Sequence, residues 1–166
     1  MASDFLVRFV ENYRKVTGIP TPVPEIIPVD SLLNSVVLLF REETDTIRIL
    51  PSSSHLQVIA DKTLIEQILI NLIKNALDAT IDCPDPLIEL SAGINAEGKT
   101  FIQVKDNGTG IPADVQERIF IPFFTTKPVG SGIGLSVSRQ IMYMHKGSLT
   151  VISEAGKGSR FLLTFA

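Results

Sequence analysis

Three polar side chains interrupt the most apolar helical segment that the sequence predicts. Asn71, Asn75 and Asp78 stand at i, i+4 and i+7 in a segment rich in Leu, Ile and Ala, and this spacing places them on one face of a helix. A side-chain amide oxygen that faces a cleft can ligate a hard cation such as Mg²⁺, together with water and substrate phosphates. The same residues could instead cap neighbouring backbone or face water, and the pattern alone favours that simpler interpretation.

Two glycine-rich segments follow in the second half of the chain. Asp106 opens the first, DNGTG at residues 106–110, directly after a predicted strand. Its carboxylate could accept a hydrogen bond from an exocyclic amine, although Asn-Gly is equally typical of a tight turn. The second, GSGIGL at residues 130–135, opens a predicted helix, where backbone N–H groups can bind phosphate. It matches neither the P-loop nor the dinucleotide-binding fingerprint.

Between the glycine-rich segments lies an aromatic cluster, IFIPFFTTK at residues 119–127. Three phenylalanines within five residues, followed by polar Thr-Thr-Lys, indicate a segment that is anchored at one end and mobile at the other. Such a segment between two ligand-facing loops would act as a lid. The alternative is a core strand or a small aromatic cluster, neither of which needs a function of its own.

The elements that must position these residues follow from hydrophobic periodicity and from turn and cap signals. Asp61 is the expected N-cap of the long helix, and Asp30 or Ser31 that of an earlier one. Together the patterns predict an α+β two-layer sandwich, in which a mixed, mainly antiparallel sheet of about five strands is covered on one face by about three helices. The predicted helices are 31–40, 61–80, 112–119 and 134–144, and the predicted strands 46–50, 56–60 (joined to the first by a turn at 52–54), 87–94, 100–105, 148–153 and 160–165.

The start of the chain has a different character. Apolar residues recur at helical spacing from Phe5 to Val16, and Gly18 and Pro20 end this pattern. Four prolines between residues 20 and 28 then predict a stiff linker. We therefore divide the chain into a helix end (1–18), a Pro-rich linker (19–28) and one main domain (29–166).

Composition excludes several classes of function. The 166 residues carry a net charge of −3, which argues against a general nucleic-acid binder. One cysteine excludes an internal disulfide and a multi-cysteine metal site, and two histidines leave little for a histidine-based one. With no signal-peptide pattern and no membrane-spanning run, the chain is expected to be cytoplasmic, although the parent protein may be membrane-anchored.

The order of the segments is far more specific than any of them alone. An asparagine-rich helix (QILINLIKNA, residues 67–76), then D-x-G-x-G, F-x-P-F-F and G-x-G-x-G-L, resembles the catalytic ATP-binding domain of two-component sensor histidine kinases. That domain has the Bergerat fold, shared with DNA gyrase, MutL-type mismatch-repair ATPases and heat-shock chaperone ATPases. The resemblance covers roughly residues 28–166.

The resemblance implies a role for each matching position. Asn75 would ligate a Mg²⁺ ion that bridges the phosphates of ATP, with Asn71 as a second catalytic residue one turn away. Asp106 would bind the adenine amino group, and Lys127 or Lys74 would supply phosphate charge, because Asp78 stands where many members carry a basic residue. The full set implied to bind ATP is Asn71, Asn75, Asp78, Asp106, Gly108, Gly110, Ile111, Phe120, Phe124, Thr126, Lys127, Gly130, Ser131, Gly132, Ile133, Gly134 and Leu135, with Phe123 as a further lid anchor.

Within this superfamily the residues favour a kinase. ATPase branches carry a glutamate one turn before the magnesium asparagine, where this chain has Asn71, which cannot accept a proton at neutral pH. Neither His55 nor His145 has the surroundings of a phosphoacceptor histidine. The expected partners are therefore an acceptor-histidine dimerisation domain of the same protein, absent here, and a response regulator receiver domain; the parent would be a homodimer, with no nucleic-acid partner. A stand-alone ATPase and a non-enzymatic nucleotide-binding or docking module are the alternatives.

Overall fold

The computed structural model describes residues 2–53 and 55–166. Five α-helices and seven strands follow one another in these residues, with a 3₁₀ helix at Leu38–Glu43 after the second α-helix. The helices are α1 (Ala2–Thr17), α2 (Val29–Val37), α3 (Lys62–Ala79), α4 (Ala113–Gln116) and α5 (Gly134–Met144). The strands are β1 (Glu25–Pro28), β2 (Ile47–Ile49), β3 (Gln57–Ala60), β4 (Ile88–Ile94), β5 (Thr100–Asp106), β6 (Ser148–Glu154) and β7 (Gly158–Thr164).

Five of the strands form one mixed sheet in the order β2-β4-β5-β7-β6. The pair β2–β4 is parallel and the other three pairs are antiparallel. Helices α2, α3 and α5 pack on this sheet: α3 contacts β4, β5 and β7, whereas α2 contacts β2 and α5 contacts β6. The predicted two-layer α+β sandwich is therefore confirmed.

The two early strands join different sheets. The sequence suggests β2 and β3 as neighbours across a short turn, but β3 pairs antiparallel with β1 in a separate two-stranded ribbon. The ribbon uses the last four residues of the predicted linker, and it buries Ile27 opposite Val58. Proline is tolerated at position 28 because β1, in a two-stranded sheet, is an edge strand. Ser54, in the predicted turn, lies outside the described residues.

Helix α3 begins where the sequence predicts. The side chain of Asp61 accepts a hydrogen bond from the Leu64 N–H at 3.2 Å and so caps the helix. The Val23 N–H also donates to Asp61, at 2.9 Å, and this bond is the main cause that lowers the pKa of Asp61. Helix α2 differs, since it begins at Val29 and neither Asp30 nor Ser31 is its N-cap.

His145 joins the end of α5 to the start of α3. Its Nε2 accepts a hydrogen bond from the Asp61 N–H at 3.0 Å, and its Nδ1 lies 2.7 Å from the Ile141 carbonyl oxygen. With Nε2 accepting, Nδ1 is the ring nitrogen placed to donate to the Ile141 carbonyl. The expected contact with the helix C-terminus is therefore present as a hydrogen bond.

Alternation along β5 turns a carboxylate inward. Ile102 and Val104 are buried beneath the helices, and Asp106 takes the same face two residues further on. Asp106 is only 5 % exposed, so the end of the strand carries an acidic group into the space between sheet and helices.

Among residues 2–53 and 55–166, no helix has the length and apolarity that crossing a membrane requires.

Candidate functional site

A cavity of about 960 Å³ lies between α3, the end of β5, the N-terminus of α5 and the segment that connects α4 to α5. We call residues 123–132 of that connecting segment the lid. Fourteen of the seventeen predicted ATP-binding residues line this cavity: Asn71, Asn75, Asp78, Asp106, Gly110, Ile111, Phe124, Thr126, Lys127, Gly130, Ser131, Gly132, Gly134 and Leu135. The structure thus gathers residues from four separate sequence segments around one space.

Asp106 forms the acidic part of the cavity wall. Its Oδ1 accepts a hydrogen bond from the Gly108 N–H at 2.8 Å. Burial raises the pKa of this carboxyl group, while the peptide N–H groups of Gly108 and Ser159 partly oppose the increase. Two ionised oxygens can accept about four hydrogen bonds, so the group keeps capacity for a donor on a ligand. Apolar neighbours in the wall include Ile111 and Phe161, which suit a flat heterocycle.

The loop after Asp106 is built for close packing within the protein. Gly110 has φ +67°, and a Cβ atom there would overlap the carbonyl oxygen of Glu154. The Cβ position of Gly108 is likewise occupied by the backbone of Ala79 at the end of α3. Both glycines are therefore needed before any ligand binds, because they let the loop contact α3 and the β6–β7 turn.

The polar face of α3 has two distinct environments. Asn71 donates a hydrogen bond to the Ser138 hydroxyl of α5 at 3.3 Å, and its amide group fills the space beside Gly134. Asn75, one turn later, has its Oδ1 3.2 Å from the ammonium group of Lys127. Asn71 thus joins α3 to α5, whereas the amide oxygen of Asn75 already faces a cation.

Lys127 crosses from the lid to α3. Its Nζ lies 2.6 Å from Asp78 Oδ2 as well as 3.2 Å from Asn75 Oδ1. Both partners of the ion pair stay accessible to solvent, with 41 % of the Lys127 side chain and 60 % of the Asp78 side chain exposed. In this arrangement the side chain of Lys127 connects the lid to α3 across the cavity.

Aromatic residues anchor the base of the lid. The Phe123 N–H donates to the Gly132 carbonyl at 2.8 Å and joins the two ends of the lid. Phe123 itself has φ +69° and stacks on Phe9 of α1, with 5.2 Å between the ring centroids. Arg118 lies over the ring of Phe124, at 5.1 Å from its centroid. These contacts are those of a segment anchored by aromatic residues at one end, and the mobility of its other end stays a prediction.

Three of the predicted ATP-binding residues do not reach the cavity wall. Gly108 is buried against α3, and Ile133 is part of the hydrophobic core. Phe120 lies beneath Arg139 of α5, at 4.6 Å from ring centroid to guanidinium carbon, and lines a separate small cleft next to Val16. Their motif positions support the loops that form the cavity.

The structure also adds wall residues that sequence reasoning missed. Ser159 and Phe161 of β7 line the cavity because they pair with Asp106 and Val104 of β5. Ala79 at the end of α3 is a further addition. The order of strands in the sheet is the signal that would have identified the first two.

The residues present fit a magnesium ion held mainly by a nucleotide. Among the described residues no group of three His, Cys, Asp or Glu could hold a metal ion by itself. Mg²⁺ at phosphate sites needs only one or two protein oxygens, since phosphates and water supply the rest. The Asn75 amide oxygen, already in contact with an ammonium group, is suitably placed to be one of them.

Comparison with known proteins identifies the family of the chain. Residues 60–166 match the family model described as histidine kinase-, DNA gyrase B-, and HSP90-like ATPase. The chain is 36 % identical over 151 residues to the C4-dicarboxylate transport sensor protein DctB of Rhizobium meliloti (strain 1021), covering 91 % of this chain and 24 % of DctB. It is 38 % identical over 104 residues to the signal transduction histidine-protein kinase AtoS of Escherichia coli (strain K12), covering 63 % of this chain and 17 % of AtoS. The chain therefore spans about a quarter or less of these relatives.

Solved structures place the fold in the same group. The catalytic domain of histidine kinase ThkA, in a nucleotide-free form, superposes with a TM-score of 0.74 at 32 % identity, covering 86 % of this chain and 95 % of that one. Full-length ShkA in complex with AMPPNP gives 0.79 at 26 % identity, covering 99 % of this chain and 36 % of that one. From the family match and this likeness, the chain belongs to the histidine kinase-, DNA gyrase B-, and HSP90-like ATPase family and, within it, to the histidine kinase catalytic domains.

Proposed function

We propose that this chain binds ATP with Mg²⁺ and transfers the γ-phosphoryl group to a histidine on an acceptor domain outside it. The observation that carries the proposal is one lidded cavity that holds the buried carboxylate of Asp106, the amide oxygen of Asn75 and the ammonium group of Lys127. Asp106 would accept a hydrogen bond from the adenine amino group. Asn75 would hold Mg²⁺, which when bound neutralises phosphate charge, and Lys127 would contact the phosphates.

The carboxylates of the cavity favour transfer to a protein over hydrolysis. Among the described residues, Asp78 and Asp106 are the carboxylates that line it. Asp106 accepts from a backbone N–H and Asp78 is paired with Lys127. Glu66 lies 3.9 Å from Lys62 on its own helix and is not part of the cavity wall. No carboxylate thus takes the position, one turn before Asn75, from which a general base would activate water.

Neither histidine of the chain suits the role of acceptor. Both ring nitrogens of His145 are engaged in hydrogen bonds within the fold. His55 lies in a turn with φ +73°. The acceptor is expected on a helix of another domain, so the nucleophile would come from outside this chain.

Helix α1 supports a connection to such a domain. Phe5, Leu6 and Val10 are exposed on it, as expected for an amphipathic helix that packs against further helices. We propose that residues 1–18 are the end of a dimerisation helix of a homodimeric parent, joined by residues 19–28 to the catalytic domain. A response regulator receiver domain would then take the phosphoryl group, in the cytoplasm and without nucleic acid.

Binding and transfer test this proposal separately. Calorimetry should detect binding of AMPPNP with Mg²⁺, and Asn75→Ala should weaken it about tenfold or more, because a ligand to the cation is lost. Asn34→Ala, on the exposed face of α2, is the matched control and should bind as the unaltered chain does. Equal binding by Asn75→Ala would refute the role of that residue.

The transfer arm adds the acceptor-helix domain of the same kinase in trans. Radiolabel from γ-labelled ATP should appear on its histidine. Steady release of phosphate by the isolated chain, lost in Asn71→Ala, would instead identify a stand-alone ATPase. No detectable nucleotide binding would leave a non-enzymatic docking module.

A further inference from the structure

The lid lysine has two partners on α3 that differ in what they can bind. Asp78 Oδ2 carries charge and lies 2.6 Å from Lys127 Nζ, whereas the neutral Asn75 Oδ1 lies at 3.2 Å. Asn75 and Asp78 are one turn apart, so a single ammonium group reaches both. The carboxylate is the stronger attraction, and it brings the lysine against the amide oxygen.

The contact of Lys127 with Asn75 and Asp78 occupies the place that Mg²⁺ and the phosphates of ATP would take in the proposed function. An ammonium group and a divalent cation can both bind the oxygen of an amide. In the proposed function, Asn75 Oδ1 is the oxygen that would bind Mg²⁺. Lys127 is also the one cationic residue of the lid sequence, so it is the lid side chain that would contact the phosphates. Binding of Mg·ATP would therefore require Lys127 to leave Asn75 and exchange Asp78 for phosphate oxygens.

The two lysines of the cavity wall differ in their pairing, and the difference singles out Lys127. Lys74 and Lys127 are the ammonium groups among the described residues that line the cavity, and of these two only Lys127 has an ion pair there. The pair joins residues 49 positions apart in sequence, and it bridges the lid to a helix that is fixed in the core. It can thus hold the lid closed while remaining exposed enough to exchange.

We propose that Asp78 is a positioning residue that holds the lid closed on the nucleotide-free cavity by pairing with Lys127, and that it releases this lysine to the phosphates when nucleotide binds. The proposal rests on the proposed function for its second half. Asp78 then does not contact the nucleotide. Its carboxylate competes with the phosphates for one cation.

The two members of the pair should consequently have opposite effects on binding. Asp78→Asn removes the competitor, and AMPPNP with Mg²⁺ should bind about two- to fivefold tighter, the range that an exposed ion pair can contribute. Lys127→Met removes a charged contact to phosphate, so binding should weaken about tenfold or more. Asp82→Asn is the matched control, because it removes an exposed carboxylate from the same region without touching the pair.

Hydrogen exchange of the lid amides, without nucleotide, tests the closed state directly. Asp78→Asn should speed exchange of the amides of residues 124–132 up to about fivefold, and Asp82→Asn should not. The double variant Asp78→Lys with Lys127→Asp should restore slow exchange, since it rebuilds the pair with reversed charge.

Several results would overturn the proposal. Weaker binding by Asp78→Asn would mean that the carboxylate contacts the nucleotide or its cation. Unchanged binding by Lys127→Met would refute the transfer of the lysine to phosphate. Unchanged lid exchange in Asp78→Asn, or no recovery in the double variant, would refute the closed lid. If the unaltered chain bound no nucleotide, the proposed function would fail, whereas the exchange experiment would still test the ion pair.

Discussion

Replacing the buried carboxylate Asp106 by asparagine should separate binding from stability. Asparagine has nearly the same shape and keeps one oxygen for the Gly108 N–H, now 2.8 Å from Asp106 Oδ1. It replaces the other oxygen by an NH₂ group, which donates and cannot accept. An adenine amino group would then face a donor where it needs an acceptor. The variant should therefore lose nucleotide affinity without losing its fold.

The size of the loss follows from the charge of the acceptor. A hydrogen bond to an ionised group contributes about 1.5–3 kcal/mol, and each 1.4 kcal/mol corresponds to a factor of about ten in Kd. Calorimetry with AMPPNP and Mg²⁺ should thus show binding about 10- to 150-fold weaker. Asp114→Asn, an exposed position on α4, changes the net charge equally and should leave the Kd unaltered.

Stability should change in the opposite direction. Burial raises the pKa of Asp106 in the folded chain above its unfolded value, so the ionised form is less favourable in the native state. The stabilising effect of the protonated carboxyl group is present below the unfolded pKa and is lost as pH rises through the folded pKa. At pH 7 Asp106→Asn should therefore raise Tm, and the gain should shrink as pH falls through the native pKa.

Two outcomes would refute this reasoning. A variant that binds AMPPNP as tightly as the unaltered chain would show that Asp106 does not accept from the ligand. A Tm that falls at pH 7 would show that the charge stabilises the native state, through the N–H groups of Gly108 and Ser159 that oppose the burial effect. Thermal melts at pH 7 and near pH 4, without nucleotide, test the second outcome, and the calorimetry with AMPPNP tests the first.

Two further substitutions test contacts that shape the site. Gly110→Ala would place a methyl group on the Glu154 carbonyl at φ +67°, so it should lower the free energy of unfolding in urea clearly more than Gly98→Ala, which is also at positive φ but has open space and should cost about 1–2 kcal/mol. His145→Ala would leave the Asp61 N–H without its acceptor and should cost about 1–3 kcal/mol. Similar losses for both glycines, or an unchanged midpoint for His145→Ala, would contradict these assignments.

Local features of the site could be predicted from sequence because they depend on backbone repeat alone. The spacing of Asn71, Asn75 and Asp78 places them on one helical face, and all three line the cavity. Asp61 was identifiable as the cap of α3 because a cap needs only residues within one turn. The strands 87–94 and 100–105 were likewise predicted from local patterns, and they are present as the antiparallel pair β4 and β5.

Local sequence patterns could not predict which strands pair with one another. Alternation identifies Gln57–Ala60 as a strand, but not that it pairs with Glu25–Pro28, which the sequence presents as linker. Ser159 and Phe161 were not predicted as site residues, and they enter the cavity wall through the pairing of β7 with β5. A strand exposes the same hydrogen-bonding groups to any neighbour, so its partner depends on packing of the whole layer.

By itself the sequence determined the class of the fold, the order of the motifs and the family, since short segments recur wherever one backbone geometry and one ligand chemistry are required. Only the tertiary structure decided which side chains meet. It buried Asp106 under the helices, made Asn71 a bridge to α5 and joined Lys127 to Asp78 across 49 residues. Contacts of that range depend on how the layers pack and where the lid closes, and neither is encoded in the spacing of neighbouring residues.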